Sequence, residues 1–406
     1  MSKNNMSRFL IYITILLAPA YLIKLIFFSF PTNLLEILEI FSIAFWIFEN
    51  RKSFFKKVKL FYQENIVIDW AILGLILGAI LSAAFNDNLT HEFSIIKSWF
   101  VLPIIFSFIA ALEFKNEKNK LLSAVFYSTF WVSLASLFYL LSGNLTYDHR
   151  LKAFFLSPNH LAMFIAPGII IGIYFFQSAF GKKLSKTPQR VVSALAIFLI
   201  TLVLFFTHSY ANWLAILIAL LIYFFLINKN KKIFLFIFAV LLAFIFLESG
   251  SEKFKDLINF SERSSASSRL MIWQSAGKIL KDNWLWGIGA GNFQEKYLQY
   301  QKYFPPYLEW AVPQPHNLFL AFWLQTGLLG FLSFLILLAM ILKKIFLSFR
   351  SAMENKKEIT LYLSFFIYLI IAGLFDTPYW KNDLSLIFWI FFFLPLFLEK
   401  SKHNSI

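Results

Sequence analysis

Long apolar blocks separated by short polar runs dominate the chain. They give twelve candidate spans, at about 9–30, 34–48, 66–85, 93–112, 121–142, 160–178, 191–207, 212–227, 233–249, 318–342, 359–375 and 384–398. One bilayer crossing needs ~20 apolar residues. Backbone groups in lipid must bond within their own segment, so each block is predicted to be a helix. The second, eighth and twelfth blocks are short and are expected to run into their flanks or to tilt. Residues 250–317 form the one long polar segment. The predicted organisation is nine helices over 1–249, a loop with amphipathic helices over 250–317, and three helices plus a tail over 318–406.

Composition supports this all-α, polytopic reading. Soluble domains run at about 45–50% apolar and 25% charged residues; this chain of 406 residues is 59% hydrophobic and 15% charged, with 53 Phe. A soluble globular enzyme, a disordered chain and a secreted disulfide scaffold are excluded. With no Cys there is no thiolate chemistry. The net charge of +15 points to cytoplasmic loops rather than to nucleic acid, because Lys and Arg concentrate on the inner side of membrane proteins. With both termini inside, the basic runs Arg51–Lys59, Lys115–Lys120, Lys182–Arg190, Lys229–Lys232 and Lys343–Lys357 all fall in cytoplasmic loops. The short outer loops hold only Arg150, Lys152 and Lys381. Residues 250–317 then lie outside. Ala18-Pro19-Ala20 resembles a cleavage site, but the apolar run continues to Phe30 and reads as an uncleaved first span. No nucleotide-binding motif occurs in a cytoplasmic loop.

Five of the six His (His91, His149, His160, His208, His316) fall in predicted outer loops or span ends, which favours a functional surface there, although His also suits a headgroup interface. Their spacing is not that of a compact zinc site, and no metal is expected. In the long loop, Ser267 or Ser268 is a natural helix N-cap before apolar positions 270, 273, 276 and 280, which define one face of an amphipathic helix on the membrane surface. Arg269 would sit in its first turn, where a cation is unfavourable unless it meets an anion. Gly287-Ile288-Gly289-Ala290-Gly291-Asn292 has no preceding strand and reads as a tight turn, not a nucleotide loop. Pro313-Gln314-Pro315-His316-Asn317 leads into an apolar span. A helix start disfavours imidazolium, so His316 is expected to be available as a general base. Tyr297, Tyr300, Tyr303, Phe304, Tyr307 and Trp310 suit sugar stacking and an interfacial belt about equally. Lys24, Glu36, Glu39, Asp69 and Lys97 place charge inside spans, a functional signal by default.

These motifs together resemble the O-antigen ligase/O-antigen polymerase family of membrane glycosyltransferases. The resemblance covers about residues 150–390. It rests on Arg269 and Trp273, the 287–293 glycine motif, His316-Asn317-Leu318 and Gln325-Thr326-Gly327-Leu328-Leu329-Gly330, with further matches at Arg150, Ser157-Pro158-Asn159-His160, Thr207-His208-Ser209-Tyr210 and Asp376-Thr377-Pro378. It implies a GT-C-like, metal-independent, inverting transferase with no cofactor, in the cytoplasmic (inner) membrane with its site outside. The donor would be an undecaprenyl-diphosphate-linked glycan. The acceptor would be a glycan, a lipid A core or a protein hydroxyl. The implied catalytic pair is His316, as base, and Arg269, as clamp on the diphosphate. Arg150, Asn159, His160, Tyr210, Arg263, Trp273, Asn317 and Asp376 are implied substrate contacts. The family carries a second Arg where this chain has Tyr210, and Arg150 or Arg263 is the expected substitute. The competing readings are a lipid-linked saccharide flippase or other transporter, which would not need His316, and a peptidoglycan glycosyltransferase.

Overall fold

The computed structural model describes residues 5–27, 30–52, 65–86, 89–178, 187–227, 239, 242–259, 264–305, 311–351 and 355–398. It is an all-α bundle with one small hairpin. The helices are α1 (Asn5–Leu16), α2 (Leu34–Asn50), α3 (Ile66–Ala84), α4 (Leu89–Glu113), α5 (Lys118–Leu141), α6 (Pro158–Ser178), α7 (Thr187–Phe206) and α8 (Tyr210–Ile227). They continue with α9 (Glu252–Ile258), α10 (Ser265–Asp282), α11 (Phe293–Tyr300), α12 (Leu318–Ser351), α13 (Lys356–Gly373) and α14 (Asn382–Phe393).

Among the described residues, six helices (α3, α4, α5, α6, α8 and α12) are long and apolar enough to cross a bilayer, against the twelve crossings expected from sequence. Shorter apolar helices occupy Met6–Leu16, Arg190–Phe206 and Asn382–Phe397. Residues 233–238, 240 and 241 of the block at 233–249 lie outside the described residues.

The first predicted span is corrected. Residues 9–30 are not one helix: α1 ends at Leu16, Ala18–Leu22 is a 3₁₀ turn, and Lys24–Phe27 pairs antiparallel with Phe30–Asn33. Pro19 is the physical reason, since it has no N–H to donate and its ring clashes with the preceding turn. Asn33 then caps α2, its side chain accepting from the Glu36 backbone N–H.

Two of the intramembrane charges, Glu36 and Lys97, pair with each other. Lys97 Nζ lies 2.7 Å from Glu36 Oε2, and the Ser98 hydroxyl donates to Glu36 Oε1 at 2.7 Å. Lys97 opens a five-residue π-helical stretch, Lys97–Val101, just before Pro103. A π-turn there accommodates the proline's missing donor without ending the helix.

The 264–305 segment carries a small core of its own. Met271, Ile272, Ala276 and Ile279 of α10 pack with Ile288, Phe293 and Tyr297, and Leu324 of α12 closes the cluster. The expected helix face is therefore rotated: Ser268, Met271, Ile272, Ser275, Ala276 and Ile279 are buried, whereas Leu270 is 56% exposed. Four consecutive apolar residues, Leu270–Trp273, fit either face by period alone, and the partners on α11 and α12 chose. Tyr297 belongs to this core rather than to a sugar-stacking or interfacial surface; Tyr307 and Trp310 lie outside the described residues.

The glycine motif latches this segment to the bundle. Gly289 N–H donates to Ser82 Oγ at 2.9 Å, Gly291 N–H to Gln325 Oε1 at 2.8 Å, and Asn292 Nδ2 to the buried Glu92 at 2.6 Å. Gly289 has φ +81, and a Cβ there would collide with the Glu92 carboxylate. On the other side the latch meets a kink in α12 at Gly327 (φ 67, ψ −176), where Leu328 N–H donates to Leu285 O at 2.9 Å.

Candidate active site

At the end of the bundle where these loops gather, a cavity of about 540 Å³ opens between the α5–α6 loop, the α7–α8 turn, α9, the start of α10, and His316 ahead of α12. Its polar wall includes Arg150, Asn159, His208, Lys253, Arg269 and His316.

Arg150 is fixed by the chain around it. Leu151 N–H donates to Phe206 O at 2.8 Å, tying the α5–α6 loop to the end of α7. Arg150 Nε then donates to Thr207 O at 2.8 Å and Nη2 to Asn159 Oδ1 at 2.6 Å. Asn159 Oδ1 also accepts from Ser209 Oγ at 3.1 Å, so the two loops share one acceptor. Asp148 is the nearest carboxylate in an ion pair with Arg150, at 3.7 Å. Burial, and after it the like charge of Arg269, press the Arg150 guanidinium below its usual range; an arginine stays protonated regardless.

Arg269 arrives from α10. The N-cap is Ser264, whose hydroxyl accepts from Ser267 N–H, rather than Ser267 or Ser268. Arg269 therefore stands in the second turn, away from the free N–H groups and not in the first turn expected from sequence, so its place in the helix alone does not call for an anion. Its Nε donates instead to Phe375 O at 3.0 Å. The third cation is Lys253, on α9, with Nζ donating to His208 O at 2.6 Å and lying 4.9 Å from the centre of the Tyr210 ring. Burial first and Arg150 second push its ammonium down to about 7. Asp148, Glu248 and Asp376 offset part of this charge, but burial still presses Arg150 and Lys253 toward their neutral forms, a cost that a bound anion would relieve.

His316 is held from two directions. Trp273 Nε1 donates to Pro315 O at 3.1 Å, and Asn317 caps α12, accepting from the N–H groups of Phe319 and Leu320 at 3.0 Å each. Between these anchors His316 takes φ 47, a left-handed conformation with a strain cost of roughly 1–3 kcal/mol. His316 Nδ1 lies 3.2 Å from Asp376 Oδ1, which also accepts from Thr377 N–H. Asp376 is buried. Burial alone would raise its carboxyl, but His316 and Arg269 hold it below the usual range. An ionised Asp376 accepting from Nδ1–H leaves Nε2 as the nitrogen with a lone pair.

The cavity thus brings together Arg150, Asn159, Tyr210, Arg269, Trp273 and His316 from the sequence-derived set. Asp376 stands behind His316, and Asn317 serves as helix cap with Nδ2 donating to Leu374 O. His160 is not in the cavity wall: it is buried among Tyr21, Phe155 and Asp383, with Nε2 3.2 Å from Asp383 Oδ1. Its place in the helix explains this, since one residue past Asn159 the next side chain turns about 100° into the bundle. Arg263 lies outside the described residues. Sequence reasoning did not single out Lys253 or Glu248; the available signal for Glu248 was a lone acid closing an apolar block. Among the described residues no group of three or more His, Cys, Asp or Glu is disposed to hold a metal ion.

Residues 195–335 match the family model described as O-antigen ligase. That stretch contains Tyr210, Arg269, Trp273 and His316, while Arg150 and Asp376 lie beyond its ends. No curated protein matches the chain. The matched segment builds much of the cavity wall, and over those residues the chain is similar to the O-antigen ligase family.

Proposed function

We propose that the cavity binds the diphosphate of a polyprenyl-diphosphate-linked glycan and passes the glycan, with inversion, to an acceptor hydroxyl. The reading is carried by one observation: Arg150, Lys253 and Arg269 converge on the cavity that His316 enters with Asp376 behind it. His316 Nε2 takes the acceptor proton as the acceptor oxygen attacks the anomeric carbon. Asp376 holds the ring and stabilises the imidazolium that forms. The cations stabilise charge as it develops on the departing diphosphate, without waiting for solvent to reorganise. Lys253 and Arg150 take the part of the second cation that Tyr210 cannot supply.

In this reading the chain makes twelve crossings in a GT-C-like arrangement, with both termini cytoplasmic and the cavity at the outer face of the inner membrane. That side is supported by the inner concentration of Lys and Arg. The donor is an undecaprenyl diphosphate glycan, and no metal takes part. The acceptor is a glycan, a lipid A core or a protein.

The test is transfer from a purified polyprenyl-diphosphate glycan in EDTA with each acceptor class supplied. The expected outcome is glycan transfer by the wild type and none by His316→Ala or Arg269→Ala, both folded. Wild-type inactivity toward every acceptor, or near-normal rates in both variants, overturns the reading.

A further inference from the structure

The cavity holds a second histidine–carboxylate pair. His208, in the turn between α7 and α8, places Nδ1 2.8 Å from Glu248 Oε1. Glu248 is buried, and its other oxygen accepts from the Tyr210 hydroxyl at 2.8 Å and from Ser251 Oγ at 3.1 Å. The carboxylate is therefore held by three groups and cannot swing away from the imidazole. His208 also shares the left-handed backbone of His316, with φ 46 against 47. Strain of this kind persists only where the surroundings impose it. Here Lys253 grips the His208 carbonyl, and His208 N–H donates to Phe205 O at 3.0 Å. With Nδ1 committed to Glu248, Nε2 is the nitrogen left for the cavity that His208 lines.

Building on the transferase reading above, we infer that His208, positioned by Glu248, is the general acid that protonates the departing diphosphate.

The charged groups facing His208 are Glu248, Lys253 and Arg150, with the Tyr210 hydroxyl on the far oxygen of Glu248. Burial chiefly, opposed by Glu248 and reinforced by Lys253 and Arg150, lowers its imidazole in the empty cavity. An arriving diphosphate reverses the sign of its surroundings and draws a proton onto Nε2, because a nearby opposite charge favours the charged form. The acid is thus charged when its substrate is present. The step balances. The acceptor O–H proton goes to His316 as the new glycosidic C–O bond forms. The anomeric C–O bond to the diphosphate breaks with its electron pair on oxygen, and that oxygen takes the His208 Nε2 proton. Prenyl diphosphate leaves protonated, and one proton returns from His316 to His208 through solvent before the next turnover.

The experiment compares kcat against pH for the wild type, His208→Gln and Glu248→Gln, with Lys253→Arg as a separate control that identifies any part of the profile due to Lys253. Binding of farnesyl diphosphate is measured on the same preparations. A general acid gives an alkaline fall in rate. His208→Gln is expected to lose that fall and to drop roughly a hundredfold in kcat while still binding farnesyl diphosphate. Glu248→Gln is expected to move the fall to lower pH, because the charge that supports imidazolium is gone. Wild-type kcat with an unchanged pH profile in His208→Gln overturns the assignment, as does a loss of rate that merely follows a loss of farnesyl diphosphate binding. Should the parent enzyme not transfer from any polyprenyl-diphosphate donor, it is the transferase reading that fails.

Discussion

His316 Nδ1 and Asp376 Oδ1 stand 3.2 Å apart, across 60 residues of chain. The imidazole by itself could turn either nitrogen to the cavity; the carboxylate selects Nε2, by accepting from Nδ1–H and leaving the other nitrogen its lone pair.

Asp376→Asn keeps the side-chain shape but cannot stabilise an imidazolium. The expected result is a kcat lower by roughly a hundredfold or more, with farnesyl diphosphate binding retained. Steady-state rates alongside a direct binding isotherm check this. A parallel loss of both would assign Asp376 to diphosphate binding instead.

Lys253 makes diphosphate binding depend on pH. Its ammonium titrates near pH 7 in the empty cavity, and a bound anion must raise that value. Between the two values, binding takes up a proton at Lys253, so its contribution to affinity is fully present below about pH 7 and is lost as pH rises above it. Calorimetry of farnesyl diphosphate binding across pH 6–9 measures this as proton uptake. Lys253→Arg, charged throughout, is expected to reduce the slope.

Arg150→Lys keeps the charge and loses the fork that meets both Thr207 O and Asn159 Oδ1. Hydrogen bonds to charged groups contribute about 1.5–3 kcal/mol each, so diphosphate affinity should fall about tenfold or more. Thermal unfolding should also come earlier, because the α5–α6 loop loses its tie to the α7–α8 turn. An unchanged Kd in a folded variant would remove Arg150 from the binding set.

Gly289→Ala tests the latch rather than the chemistry. A methyl group would meet the Glu92 carboxylate on a backbone at φ +81, costing about 1–3 kcal/mol from the backbone strain alone. A lower unfolding temperature is expected, with transfer reduced because α10 and Arg269 loosen together. Wild-type stability would show that the 264–305 segment is held by its core alone.

The helices were legible from their apolar blocks because lipid admits little else. The block boundaries at α2, α3, α5, α6 and α8 fell within a few residues of those expected. Segments where a local feature competes with hydrophobicity were not legible: Pro19 stops the first block, and Leu270–Trp273 leaves the face of α10 undecided. For the cavity, Arg269 and His316 stood out as polar residues of the long loop, while Arg150 and Asn159 were pointed to by the family resemblance. Asn159 and His160 show the limit of that signal, since adjacent residues of one motif point into the cavity and into the bundle.

Composition and periodicity alone determined that this is a helical membrane protein, because burying so much apolar surface and satisfying the backbone in lipid have few solutions. Only the tertiary structure decided that Asp376 backs His316, that Glu248 backs His208, and that Lys253 joins two arginines. Those partners come from separate loops, and no periodicity within one segment records which loops meet.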